Sequence, residues 1–388
     1  MDNNLFEAGL VFGVIFLLIG ISVAPSITAI SYNSLVQTKP HSFVKVKSIV
    51  SKYQPYQIIN KIKSGQLIYN NGILPITKID DAFHGSTPYP SMEWWYFDSI
   101  FENEYSVHIG FRILSFQNFQ MLKPTINIYY KSDLIANEST IISQRNFFTS
   151  ETIPLLKIEN KPVMLLDQTN NTDKNHWSYQ VTYNINDVGV DLIFTGVTEG
   201  WKYVTLHEGW TVALPQASVK GNIFFDNEII PVTGKGYHDH NWNFGLKTPA
   251  RGWSWYWGKI TSEHFSFSWA NIKKTGILKQ TFSEKLGILN TVQGSFDVID
   301  IENIFISADS FIIKNGRRIP TRFHIYAKQD DLLINVTMET TSVHRTAPAA
   351  LTMHYWRYFV TISGIIKKGD VVDHLNNNIH IMEYMRFI

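Results

Sequence analysis

From about residue 80 to the C-terminus, apolar and polar side chains alternate in short runs, and this limits the chain to strands. Tyr105-Ser-Val-His-Ile-Gly-Phe111 and Phe265-Ser-Phe-Ser-Trp269 alternate along their length. Val190–Phe194, Asn222–Phe225 and Phe323–Tyr326 are further strand candidates. A side-chain period of two places one set of residues on each face of a half-buried strand. Asn71-Gly72, Asp226-Asn227 and Asn315-Gly316 supply turns between such runs. No long amphipathic helical pattern and no repeat of roughly 20–50 residues is present. The spacing predicts an all-β barrel or sandwich.

Composition narrows the function classes. Of 388 residues, 44% are hydrophobic and 14% aromatic, enough for a sizeable core. Cysteine is absent, which excludes a disulfide scaffold, a thiol nucleophile and a thiolate metal site. The formal charge of +1 is segregated. Residues 39–78 hold seven lysines and no acid, leaving 27 of the 34 basic and 31 of the 33 acidic residues beyond them. That body is mildly acidic, so nucleic acid is not an expected partner.

Ala8–Ala24 is a 17-residue uncharged, mostly apolar run. A membrane-spanning helix needs roughly 20 such residues. A cleaved signal peptide is the competing reading. The missing basic n-region and Pro25 after Ser-Val-Ala favour an anchor. Residues 1–30 are therefore expected to be a single-pass membrane anchor or signal, and 31–79 a basic linker. The downstream lysines favour a cytoplasmic body, but Lys39 lies where that bias fades, and the sequence leaves the side of the membrane open.

An internal echo divides the remainder. Sliding Glu93-Trp-Trp-Tyr-Phe-Asp98 by 160 positions sets Trp95 on Trp255, Tyr96 on Tyr256, Ile100 on Ile260 and Tyr105 on Phe265. Two related β units are expected, at 80–220 and 221–388.

Three clusters carry chemistry. Gly234-Lys-Gly-Tyr-His-Asp-His-Asn-Trp242 follows the Asp226-Asn227 hairpin. As a strand it puts His238, His240 and Trp242 on one face and Tyr237, Asp239 and Asn241 on the other. Consecutive polar groups in a buried strand need partners or a wet cavity. Proton transfer, a metal held by His-x-His, and a structural polar network all fit; metal ranks last because the sequence offers no clear third ligand. In the second cluster, Trp253, Trp255 and Trp257 share a strand face whose indole rings suit a polyene or a developing cation, or an ordinary aromatic core. In the third, Glu93 shares parity with Trp95 and Phe97, and an acid on an apolar face is expected to have a raised pKa. Tyr96 and Asp98 take the opposite parity. No phosphate loop, nucleophile elbow or His-Glu-x-x-His motif is present, so no cofactor and no metal are expected.

These clusters, with the terminal Met382-Glu-Tyr-Met-Arg386, resemble the carotenoid 1,2-hydratase (hydroxyneurosporene synthase) and AttH-like superfamily over roughly residues 80–388. The resemblance implies tandem lipocalin-like β-barrel domains around a ligand cavity. It implies a lyase that hydrates a double bond in a hydrophobic isoprenoid or polyene, a lipid-soluble substrate that the apolar N-terminal run suits. Cyclisation or isomerisation of a polyene, or lipid or pigment binding without chemistry, are the alternatives on the same fold. Two departures stand out: Trp242-Asn243 replaces the family's Trp-Gly, and Phe265-Ser-Phe267 stands where the hydratase branch has Tyr and Asp. Under this reading Asp239, flanked by His238 and His240, donates the proton, with a cationic His as the other candidate. Glu93 positions water or acts as base. Trp242, Trp255 and Tyr256 stabilise the cation. Trp95, Tyr96, Tyr237, Trp253 and Trp257 line the substrate site.

Overall fold

The computed structural model describes residues 72–387, except 88, 168–176, 205–207, 246–253, 276–280, 293 and 347–352. The expected anchor, most of the basic linker and Trp253 lie outside the described residues. Among the described residues no helix is long and apolar enough to cross a membrane.

The described chain is all-β and forms two antiparallel sheets. The first has 14 strands and the second 9. In the first, the strand Ser91–Phe101 pairs on one side with Tyr105–Phe116 and on the other with Glu228–Gly245. In the second, Ser254–Thr261 pairs with Phe265–Thr275 and with the last strand, Val371–Phe387. Each sheet is thus two meanders joined where an early strand meets a late one. Among the described residues the outermost strands of neither sheet pair with each other, so both are curled open half-barrels rather than closed barrels.

Two expected boundaries move. Gly209–Phe225 and Glu228–Gly245 both belong to the first sheet, so a division at 220/221 would cut a strand. The first sheet also begins earlier than residue 80, because Ile73–Pro75 pairs with Trp201–Val204. The hairpin turn Asp226-Asn227 has φ values of 55° and 60°, and Asn315-Gly316 has 51° and 72°. Paired positive φ is what a two-residue hairpin turn requires.

Each sheet encloses its own apolar core. A third cluster, which includes Tyr96, Trp201, Val212, Tyr237, Ala270 and Ile288, lies between the sheets. The strands Ser91–Phe101 and Glu228–Gly245 therefore have a core on both faces. That explains the unbroken aromatic run Trp94-Trp-Tyr-Phe97: an antiparallel strand with no wet face has no need of polar alternation.

Candidate functional site

The parity split of residues 237–242 places chemistry on both faces of one strand. In the ladder with Ser91–Phe101, His240 stands opposite Trp95, His238 opposite Phe97, Asp239 opposite Tyr96 and Tyr237 opposite Asp98. Glu93, His238 and His240 face the first core. Asp239, Tyr237, Tyr96 and Asp98 face the seam between the sheets.

On the first face, His238 donates from Nδ1 to the Tyr96 carbonyl (3.0 Å) and sets Nε2 against Asp81 Oδ2 (3.0 Å). The Tyr179 hydroxyl donates to the same Asp81 oxygen (2.6 Å). His240 lies between two acids, with Nε2 2.9 Å from Glu93 Oε1 and Nδ1 3.5 Å from Asp81 Oδ1. Glu93 Oε1 also accepts the His84 backbone N–H (2.8 Å) and faces His84 Nδ1 (3.2 Å). Aromatic rings clamp all three imidazoles. His238 stacks on Phe97 (3.8 Å, 2°), His240 on Trp95 (4.5 Å, 18°) and His84 on Trp242 (4.0 Å, 3°).

Burial opposes charge on His240, Asp81 and Glu93, and mutual pairing overrides it. Burial works against a charged His240, yet Asp81 and Glu93 push its pKa up to about 9. Burial raises Asp81, but His238 and His240 hold its carboxyl well below the usual range. The sequence predicts a raised pKa for Glu93, and the opposite holds. Burial pushes it up, but hydrogen bonds from His240 and His84 outweigh this and lower it.

On the seam face, Asp239 is 2% exposed. Its Oδ2 accepts from the Tyr237 hydroxyl (2.8 Å) and Trp210 Nε1 (3.0 Å), and its Oδ1 accepts from Asn241 (3.2 Å). Burial pushes its carboxyl up to about 7 against those donors. Trp257 stands 5.6 Å from Tyr237, 5.4 Å from Tyr96 and 6.2 Å from Trp210. Trp94, Trp210 and Trp257 are only half-buried, so this aromatic patch keeps an edge toward solvent.

Deeper in the seam is a charged knot. Arg357, fully buried, donates from Nη1 to the Tyr96 hydroxyl (2.5 Å) and to Glu383 Oε1 (2.9 Å), and from Nη2 to Asp98 (3.4 Å). Lys259 pairs with Asp98 and lies 4.3 Å from the Tyr237 ring centre. Tyr355 donates to Glu383.

The residues singled out from sequence therefore do not converge. Asp239 is separated from His238, His240 and Glu93 by the thickness of the sheet. Trp95 and Trp242 lie with the histidines. Trp255 and Trp257 turn to the seam, where Trp255 meets Phe244 at 5.5 Å. Tyr256 faces the second core and stacks on Tyr384 at 4.4 Å, away from Asp239. Asp81, His84, Trp210, Lys259 and Arg357 escaped sequence reasoning. Glu383 was quoted in the terminal motif but given no role. The Asn243 departure changes little: its φ is 57°, beside a register shift after Asn241, a conformation glycine adopts freely and asparagine tolerates. The indole of Trp242 covers Gly209, where an added Cβ would come within 1.8 Å of it.

Two buried histidines near the knot give stability a pH dependence. Burial and the charges of Lys259 and Lys235 push His380 down to about 3. Burial, Arg357, Arg112 and Lys259 hold His108 well below its usual value. Both stay neutral in the fold while the unfolded chain takes up protons near pH 6.5. Their contribution is complete above that pH and is lost as pH falls toward 3. Each costs up to about 1.4 kcal/mol per pH unit. Since the raised Asp239 and Glu383 carboxyls, which act in the opposite sense, are common to both proteins, lowering the pH from 7 to 5 is expected to reduce the denaturant midpoint more in the wild type than in His380→Gln. An identical slope in the variant would show that His380 is not the cause.

No family model matches the chain, and no curated protein matches it in sequence. In fold it is similar to the crystal structure of a protein assigned as an AttH from Nitrosomonas europaea. The TM-score is 0.59 at 14% identity, over 81% of this chain and 98% of that one. It is also similar to kievitone hydratase from Nectria haematococca, with a TM-score of 0.52 at 11% identity over 82% of this chain and 95% of that one. At these identities the likeness is one of fold: the chain has the two-sheet fold that these AttH and hydratase structures share.

Proposed function

We propose that this chain is an acid-catalysed hydro-lyase that adds water to a double bond of a hydrophobic isoprenoid or polyene, with acyclic carotenoids as the leading substrate class. The observation that carries the reading is the Asp239 carboxyl, buried in the seam and ringed by Trp210, Tyr237 and Trp257. Hydrating an alkene needs a donor that still holds its proton near neutral pH, in otherwise unreactive, electron-rich surroundings, and a carboxyl that burial pushes up to about 7 among aromatic rings supplies that combination. The kinship in fold with a hydratase agrees with it.

In this scheme the Asp239 carboxyl gives its proton to the less substituted carbon of the terminal double bond, and the π pair becomes the new C–H bond. The tertiary cation left behind is stabilised by the faces of Trp210, Tyr237 and Trp257, in place of the Trp242, Trp255 and Tyr256 expected from sequence. Water adds through its oxygen, and its surplus proton returns to the Asp239 carboxylate. Glu93 has no part in this scheme, since it faces the other side of the sheet. The apolar run at 8–24 would hold the body at a membrane, where such substrates dissolve.

The test is incubation of the full chain with acyclic carotenoids and isoprenoid extracts, followed by mass spectrometry. A product heavier by one water supports the reading. A ligand that co-purifies unchanged makes the protein a lipid or pigment binder, and an unchanged mass with altered retention makes it an isomerase or cyclase; either result overturns hydration.

A further inference from the structure

We infer that His84, Glu93 and His240 form a binding site for a divalent transition-metal ion, of the zinc, cobalt or ferrous class, at the edge of the first core. The three residues come from different parts of the chain. His84 lies in the segment between Asp81 and Ser91, Glu93 in the strand Ser91–Phe101, and His240 in Glu228–Gly245. One ligand atom from each lies within 4.8 Å of the other two. Glu93 Oε1 stands 3.2 Å from His84 Nδ1 and 2.9 Å from His240 Nε2. Atoms bound at ~2.0–2.2 Å to one tetrahedral ion are roughly 3.3–3.5 Å apart, so closing the set needs the Glu93–His240 pair to open by a few tenths of an ångström and the His84 ring to adjust.

The surroundings are those of a prepared ligand set. His240 points Nε2 at the site and turns Nδ1 toward Asp81 Oδ1, 3.5 Å away. Those two atoms are buried, and neither has another hydrogen-bond partner. A carboxylate behind the far nitrogen of a ligating imidazole fixes its tautomer and raises its basicity, an arrangement that recurs around bound metals. Stacking on Trp95 and Trp242 holds the two imidazole planes. The side chains of Glu93 and His240 are 5% and 0% exposed, whereas that of His84 is 12% exposed, so an ion can enter from one side and keep a position open to solvent. Two imidazoles and one carboxylate, with no thiolate, select borderline divalent ions over magnesium or calcium. The site lies on the opposite face of the sheet from Asp239, and neither assignment depends on the other.

The test uses the full chain, solubilised and stripped with a chelator, and titrated with Co²⁺ and then Zn²⁺. Expected are visible cobalt bands saturating at one ion per chain, displacement of cobalt by zinc, and a melting temperature that rises with metal concentration. His84→Ala, at a half-exposed position outside any strand, should keep the fold and weaken binding by about tenfold or more; Glu93→Gln should do the same. His264→Ala, at an exposed histidine elsewhere, should bind as the wild type does. Absence of saturable cobalt binding overturns the inference. So does binding that is equally tight in His84→Ala and Glu93→Gln, since that would place the ion on other histidines.

Discussion

Asp239→Asn is expected to lower turnover by about 10²–10⁴-fold, the usual worth of a general acid. That range corresponds to roughly 2.7–5.5 kcal/mol of barrier. The substitution keeps the shape of the side chain. The amide oxygen can still accept from the Tyr237 hydroxyl and Trp210 Nε1, the two donors on Oδ2. The amide nitrogen would meet the Asn241 amide at Oδ1, but Asn241 is half-buried and free to turn its amide over. Denaturation midpoint and polyene binding, measured beside the rate, should therefore stay near wild type while the hydrated product disappears. Full activity in the variant would remove Asp239 from the mechanism. Unfolding would make it a structural residue and equally end the proposal.

The second large effect is on stability. Arg357→Met should cost about 3–5 kcal/mol, the range for removing one partner of a buried ion pair. Arg357 is the group that both Asp98 and Glu383 share, and it donates to Tyr96 as well. Without it, the two buried carboxyls keep only Lys259, which pairs with Asp98, and the more distant charge of Arg112 near Glu383. Burial already raises Glu383 despite Arg357, so in the variant this acid should hold a proton over a wider pH range. Urea unfolding at pH 7 and again at pH 5.5 checks both points. The loss should be smaller at the lower pH, where a protonated Glu383 no longer needs a cation. A loss below about 1 kcal/mol would show that the knot is solvated, as surface pairs are.

Local rules made the strands and their faces legible in the sequence. Alternation located Tyr105–Phe116 and Phe265–Thr275, and the Asp226-Asn227 turn located the hairpin that carries His238 to Trp242. Parity divided residues 237–242 as the structure divides them. What parity could not supply was the neighbour on each face, because that neighbour comes from far away in the chain. Glu93 shares a face with Trp95 and Phe97, which suggests an apolar environment. The His240 and His84 imidazoles that reverse its titration come from a strand 147 residues on and from a segment outside any strand. The internal echo shows the same limit. The hairpins Ser91–Phe116 and Ser254–Thr275 do hold equivalent places in their sheets. Yet the 160-residue shift sets Trp95, in the first core, on Trp255, which faces the seam. Strand order repeats while the residue register is offset, so side-chain roles cannot be copied from one half to the other.

The knot in the seam also dictates an order of assembly. Tyr96 meets Glu383 across 287 residues of chain, and Asp98 meets Arg357 across 259. The first sheet joins its meanders only when Glu228–Gly245 is available, and the second only when Val371–Phe387 is. Closing such long loops is entropically costly before the contacts reward it, so folding should be slow on the scale of small domains. During synthesis, the seam-facing side of Ser91–Phe101, with Trp94, Tyr96 and Asp98, must wait for Val371–Phe387 to leave the ribosome. Throughout that interval an aromatic, acid-bearing surface stands uncovered. Such a surface favours aggregation of the nascent chain until Val371–Phe387 covers it.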